Sequence, residues 1–121
     1  MRMYDGEAHF LQLDSHHRFA DDWDRLLLKQ MEQAGGDLPV LATYAPTFTP
    51  GQLPGRSSRP TRIEIDAFTD EGIPLLRPDF LSDRPPAGPP VRGRFLSAHF
   101  LFAPGQFVRS VPYDPELYFI G

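Results

Sequence analysis

Asp14, Ser15 and His16 stand directly after an apolar run that ends at Leu13. A carboxylate and an imidazole two residues apart, at the end of a strand, can both reach one divalent cation. An oxygen donor beside a nitrogen donor suits Mn²⁺ or another first-row ion better than Ca²⁺. A cation held there bridges a diphosphate and neutralises charge on a departing group, as a Lewis acid does. Such short motifs also arise by chance. The plain alternative makes Asp14 and Ser15 loop and cap residues and His16 a surface polar residue.

The neighbours carry similar pairs of readings. His17 is either an exposed polar residue or a group standing behind the cation's ligands. Arg18 either contacts phosphate, whose geometry a guanidinium matches, or pairs with Asp21 or Asp22. His99 lies in the apolar run Phe95-Leu96-Ser97-Ala98-His99-Phe100-Leu101-Phe102, where a satisfied core histidine is the ordinary expectation. Trp23 falls in a helical apolar stripe and reads as core. Tyr113 and Asp114, ahead of Pro115, read as a turn.

The elements that must position these groups follow from periodicity. Residues 8–13 read as a short buried strand. Asp21 or Asp22 caps a helix, with Asp24 in the first turn where the dipole favours an anion. Trp23, Leu26, Leu27, Met31 and Ala34 form its apolar face. Gly35-Gly36 ends it, and residues 39–44 form a second strand. A strand–helix–strand unit of this kind favours a parallel pair with a right-handed crossover. Residues 46–60 are a Pro/Gly/Ser loop. Residues 61–68 alternate apolar and charged as a half-exposed strand does. Asp70-Glu71-Gly72 is a turn. Residues 73–81 form a partner strand, which Pro74 and Pro78 confine to an edge. Residues 82–90 are a second Pro-rich loop, whose Pro-Xaa-Xaa-Pro spacing reads as a stiff connector. Residues 95–102 form a buried strand and residues 106–111 a short helix.

Composition bounds the function. A chain of 121 residues is at most one domain. Its net charge of −4 lacks the basic footprint that nucleic acid requires. Without cysteine there is no disulfide and no thiolate metal site, which fits a reducing compartment, and the cytoplasm is the expected one. No stretch is apolar enough to span a bilayer.

The run Gly6-Glu7-Ala8-His9-Phe10-Leu11-Gln12-Leu13-Asp14-Ser15-His16-His17-Arg18-Phe19, followed by Trp23-Asp24, resembles a family of GlcNAc transferases. These are relatives of the cytoplasmic enzyme that adds GlcNAc to hydroxyproline on a ubiquitin-ligase subunit. The resemblance continues through Leu41-Ala42-Thr43-Tyr44-Ala45-Pro46. It recurs in the run from Phe95 to Ala103 and again in Val111-Pro112-Tyr113-Asp114-Pro115-Glu116-Leu117-Tyr118-Phe119-Ile120-Gly121.

The resemblance implies an α/β fold: a partial GT-A-like nucleotide-sugar transferase with a mixed sheet and long Pro-rich loops. It implies a UDP-sugar donor, a divalent cation such as Mn²⁺, retention at the anomeric carbon, and a hydroxyl acceptor on a protein or glycan. Asp14 and His16 match the metal motif. Ser15, Arg18, Ala98 and His99 fall at the donor sugar and nucleotide. Residues 1–45 would carry the metal motif, 46–92 the loops and hairpin, and 93–121 the donor and acceptor side. Such enzymes place strand–helix units before the metal motif and an acidic pair after the Phe-Xaa-Gly segment, here Phe119-Ile120-Gly121. The expectation is therefore an internal fragment, completed by a second copy or another chain. The rival expectation is a catalytically inactive module that self-associates or binds a protein partner.

Overall fold

The computed structural model describes residues 4–15, 17–45, 50–51, 61–81, 88–114 and 116. Residues 1–3, His16, Pro115 and residues 117–121 lie outside them, as do 46–49, 52–60 and 82–87, on which most of the two expected Pro-rich loops fall. Among the described residues the chain forms five strands and two helices in two sheets.

The first sheet has three strands. β1 (His9–Leu13) and β2 (Leu41–Ala42) flank β5 (Phe100–Pro104), and both pair with it antiparallel. β1 and β2 thus run in the same direction on either side of α1 (Trp23–Ala34), as a strand–helix–strand unit should. They are not direct neighbours, because β5 lies between them. Every pairing is antiparallel, which replaces the expected mixed sheet and parallel pair. The cause lies in composition. β5 reads Phe-Leu-Phe-Ala-Pro, and Leu101, Phe102 and Ala103 are buried on alternating faces. A strand apolar on both faces gains most from the central position, where each face is covered.

The register sorts the side chains. Phe10 faces Ala103 and Leu11 faces Phe102. On one face, Phe10 and Val40 pack with Leu101, Ala103 and Phe107 of α2 (Phe107–Ser110). On the other, Leu11 and Phe102 meet Trp23 and Leu28 of α1 around a small cavity. α1 buries Met31 and half-buries Trp23, Leu27 and Gln30, a stripe at i, i+4, i+7 and i+8. Leu26, expected on that stripe, is 52% exposed. Asp22 does cap the helix, but with its backbone: it sits in the left-handed region at φ 55°, and its carbonyl accepts the Leu26 N–H. Gly35 ends the helix as expected, at φ 63°, donating its N–H to the Met31 carbonyl.

The second sheet is a hairpin of β3 (Thr61–Phe68) and β4 (Pro74–Phe80). β3 spans the residues its alternation predicts. Thr69 closes the turn: its N–H donates to the Ile73 carbonyl at 2.9 Å, and its carbonyl accepts the Gly72 N–H at 2.9 Å. Gly72 adopts φ 82°, a left-handed position that glycine takes without a Cβ penalty. The hairpin is fastened to the first sheet at its root, where the Thr61 hydroxyl donates to the Tyr44 carbonyl at 3.1 Å.

A candidate donor-side site at the β1–β5 end

β5 begins at Phe100 rather than at Phe95. The His99 N–H donates to the Ser97 hydroxyl at 3.2 Å, a local bond that turns the chain before the ladder starts. The Ala98 carbonyl accepts from the Gln12 side-chain amide at 3.3 Å. The His99 carbonyl accepts the Asp14 N–H at 3.2 Å. These contacts lay the segment 97–99 beside the end of β1, so that residue 14 and residue 99 face each other.

Their side chains meet. His99 Nδ1 contacts the Asp14 carboxylate at Oδ2, and since a carboxylate only accepts, the imidazole carries its proton on Nδ1. Asp14 Oδ1 makes no hydrogen bond to any described residue. His99 is half-buried and Asp14 exposed, so one carboxylate oxygen is oriented by the histidine while the other remains open to solvent.

Around this pair stand two further rings. His17 donates from Nδ1 to the Asp14 carbonyl at 3.0 Å, and its ring lies 4.8 Å from that of His99. His17 is half-buried, not the exposed polar residue of its plainer sequence reading. The Tyr44 ring lies 5.7 Å from His99 on another side. His99 is thus neither a core histidine nor a solvated one; it is a partner of Asp14 held between aromatic rings.

The other expected site residues divide. Arg18 is exposed and lines a cleft that opens beside the pair. Ser15 and Ala98 are exposed, and the Ala98 carbonyl accepts from the Gln12 side chain. His16 lies outside the described residues. Trp23 packs as expected, with its ring 4.4 Å from that of Phe19. Asp114 forms the expected turn, accepting the Glu116 N–H at 2.9 Å. Tyr113 does more than turn the chain: its hydroxyl donates to Gln12 Oε1 at 2.7 Å, tying the C-terminal segment to β1. Gln12 was not legible as a site residue. It sits at an alternating position in an apolar strand, and only its two bonds, to Ala98 and Tyr113, reveal its bridging place.

The donor set fits a divalent cation in part. The open Asp14 Oδ1 is a hard oxygen ligand, and carboxylates that ligate metals are themselves held by hydrogen bonds, as His99 holds Asp14 here. Among the described residues no group of three or more His, Asp or Glu side chains is placed to hold a metal ion.

The cleft has a volume of about 850 Å³, within the range of small-molecule sites. His17, Tyr44 and Phe100 line one part of it; α1 from Leu27 to Ala34, β2 and residues 88–93 form the walls. Gln30 holds the last of these walls in place, donating to the Gly88 carbonyl at 3.2 Å. No helix among the described residues is long and apolar enough to cross a membrane.

No curated protein and no solved structure matches the chain. A family model does, that of Glycosyltransferase (GlcNAc), over residues 1–121. Since that match runs the whole length of the sequence, the chain belongs to the GlcNAc glycosyltransferase family.

Proposed function

We propose that the chain serves a metal-dependent, retaining transferase of GT-A type, moving GlcNAc from UDP-GlcNAc to a hydroxyl group on a protein in the cytoplasm. The observation that carries this reading is the contact between Asp14 and His99. Two segments that resemble the family's metal motif and its donor-sugar region, 85 residues apart, meet side chain to side chain.

In this reading Asp14 offers Oδ1, and His16 a ring nitrogen, to Mn²⁺ or a similar divalent ion. When bound, that ion supplies Lewis-acid neutralisation of the diphosphate leaving group. His99 holds the Asp14 carboxylate in one orientation by its Nδ1–H. His17 fixes the backbone at Asp14 through the carbonyl it caps. In the same reading Arg18, exposed at the cleft, would contact the phosphates, and Ser15 and Ala98 would serve the donor sugar and nucleotide.

Calorimetric titration of UDP-GlcNAc with and without Mn²⁺ tests the reading, beside Asp14→Ala. Binding that needs both Mn²⁺ and Asp14 is the expected result. Binding indifferent to both sinks it, and so does the absence of any binding.

The second reading, a module without catalysis that associates with a copy of itself, is favoured by one observation. Phe68, Ile73, Leu75 and Phe80 of the hairpin and its turn are 48–62% exposed. Phe68, Ile73 and Leu75 lie at the hairpin tip, while Phe80 pairs with Thr61 at the root, and exposed apolar residues that form a patch mark interaction surfaces. A monomer by sedimentation at working concentration removes that reading.

A further inference from the structure

The cleft differs from the rest of the molecule in charge. The chain carries 16 acidic and 12 basic residues, yet no aspartate or glutamate stands among the described residues that line the cleft. The arginines among those described lining residues are Arg18, Arg62 and Arg92. Arg62 is already neutralised, by Glu64 at 2.7 Å and Asp79 at 3.1 Å. Arg18 lies at the end nearest Asp14. Arg92 stands apart on the 88–93 wall, exposed, with no ion pair to any described residue.

The rest of the lining is suited to an extended chain. Leu27, Val40, Val91, Phe95 and Leu96 are apolar, and the 88–93 wall contains Pro89 and Pro90, which have no N–H to offer. The described lining therefore provides apolar contact and, at Arg92, a positive charge with no ion pair to any described residue. His17 and Tyr44 also line the cleft and pack on the His99 ring.

We propose that this cleft receives the acceptor as an extended peptide carrying acidic side chains beside its hydroxyl residue, and that Arg92 selects for them. The inference rests on the transferase reading and names the acceptor's chemistry within it. An acidic peptide finds no repelling carboxylate along the described lining, and its carboxylate meets Arg92. A basic peptide meets the same arginine as a like charge. Arg92 is a specificity residue here and touches no reacting atom.

The test uses fluorescein-labelled decapeptides with a central threonine flanked by glutamate, glutamine or lysine. Fluorescence anisotropy is read with the full chain, in the absence of Mn²⁺ and UDP-GlcNAc. The glutamate peptide should bind tightest and the lysine peptide weakest. Arg92→Ala should weaken the glutamate peptide about threefold, within the range for exposed charge pairs, and Arg92→Glu, which adds a repulsion of similar size to the lost attraction, about tenfold. Arg92→Glu should also reverse the preference. Because Arg92 is exposed, both variants should fold, which circular dichroism checks. Arg25→Glu, outside the cleft, should change nothing.

Three results overturn the proposal: peptide binding indifferent to Arg92, an equal loss in Arg25→Glu, or displacement of the peptide by UDP alone. The two readings fail separately. Lost Mn²⁺-dependent UDP-GlcNAc binding with intact peptide selectivity removes the donor reading. The reverse removes this one.

Discussion

The three-stranded sheet and the hairpin use the same residue types and treat them in opposite ways. β5 buries Leu101, Phe102 and Ala103, with Ala103 0% exposed. The hairpin buries Ile63 and leaves Phe68, at its tip, and Phe80, opposite Thr61 at its root, 62% and 60% exposed. Its order comes from the ladder, the turn at Thr69–Gly72, and a charged face on which Arg62 lies opposite Asp79 and Glu64 opposite Arg77. The difference is one of support. A strand flanked on both edges and covered on both faces can fix a catalytic side chain at its end, whereas a two-stranded ribbon has only marginal stability of its own. His99 directly precedes such a strand, β5, and Asp14 follows its edge neighbour β1.

The comparison breaks most sharply at phenylalanine. Phe102 is packed by the His9 ring, stacked at 5.4 Å, and by α1. Phe102→Ala should destabilise the chain by about 3–5 kcal/mol, the usual cost of removing a buried aromatic ring. Phe80→Ala should change stability by less than about 0.5 kcal/mol, as surface substitutions do. Urea melts of the two variants measure the contrast. Equal losses would mean that the hairpin face is covered in solution.

Glycine sharpens it at smaller scale. A Cβ on Gly105 would meet the Glu7 carbonyl oxygen at 1.8 Å, a backbone atom that cannot rotate away. Gly105→Ala should cost about 1–3 kcal/mol as an overpacking change, and it should displace the start of β1 from β5. At Gly72 an added Cβ meets nothing within 4 Å. Gly72→Ala bears only the left-handed penalty of about 1–2 kcal/mol. Amide exchange should separate the variants: β1 amides lose protection in the first and only hairpin amides in the second.

Much of this was legible because it is local. The strict alternation of Ile63 and Ile65 with Arg62 and Glu64, followed by Asp70-Glu71-Gly72, defines a strand and its turn within a dozen residues. Gly35 stops α1 for a reason contained in its own backbone. The insertion of β5 between β1 and β2 was not legible, since periodicity states which face of a strand is apolar and not which strand lies beside it. Leu26 failed for a related reason. It lies at helical spacing from Trp23, yet it is 52% exposed, and spacing alone does not say how wide a face of the helix the sheet covers. The resemblance singled out Asp14 and His99 separately, and nothing in either segment says that they touch. That meeting depends on Ser97 and Gln12, whose hydrogen bonds turn the chain before β5.

Charge gives a weaker version of the same contrast. Arg62 holds Glu64 and Asp79 together, but its side chain is 39% exposed. Solvent screening limits such pairs to about 1 kcal/mol or less. Arg62→Ala should therefore lower the melting temperature slightly. It should raise hairpin amide exchange while the β1–β5 amides stay protected. A loss shared by both sheets would mean that the Thr61–Tyr44 junction couples them into one cooperative unit.

The smallest effect expected is at the hairpin tip. The Thr69 hydroxyl donates to the Glu71 carboxylate, and with the Glu71 backbone N–H it holds that group below its ordinary 4.5. A depressed folded-state value means that the contribution is present above about 4.5 and is lost as the pH falls through the lower folded value. Acid should thus loosen the turn just below the ordinary glutamate range. Glu7 is also depressed, chiefly by the Asp5 N–H donating to it at 2.9 Å, so the lead into β1 has a similar exposed group. The two regions should nonetheless respond differently. β1 is held by its full ladder to β5, while the tip depends on the turn alone. An NMR titration of the glutamate side chains should show both groups ionising below 4.5. Thr69→Val should return Glu71 toward that value and leave Glu7 unmoved. If Glu71 does not move, its depression owes nothing to the Thr69 hydroxyl, and the turn is held by Gly72 and the backbone alone.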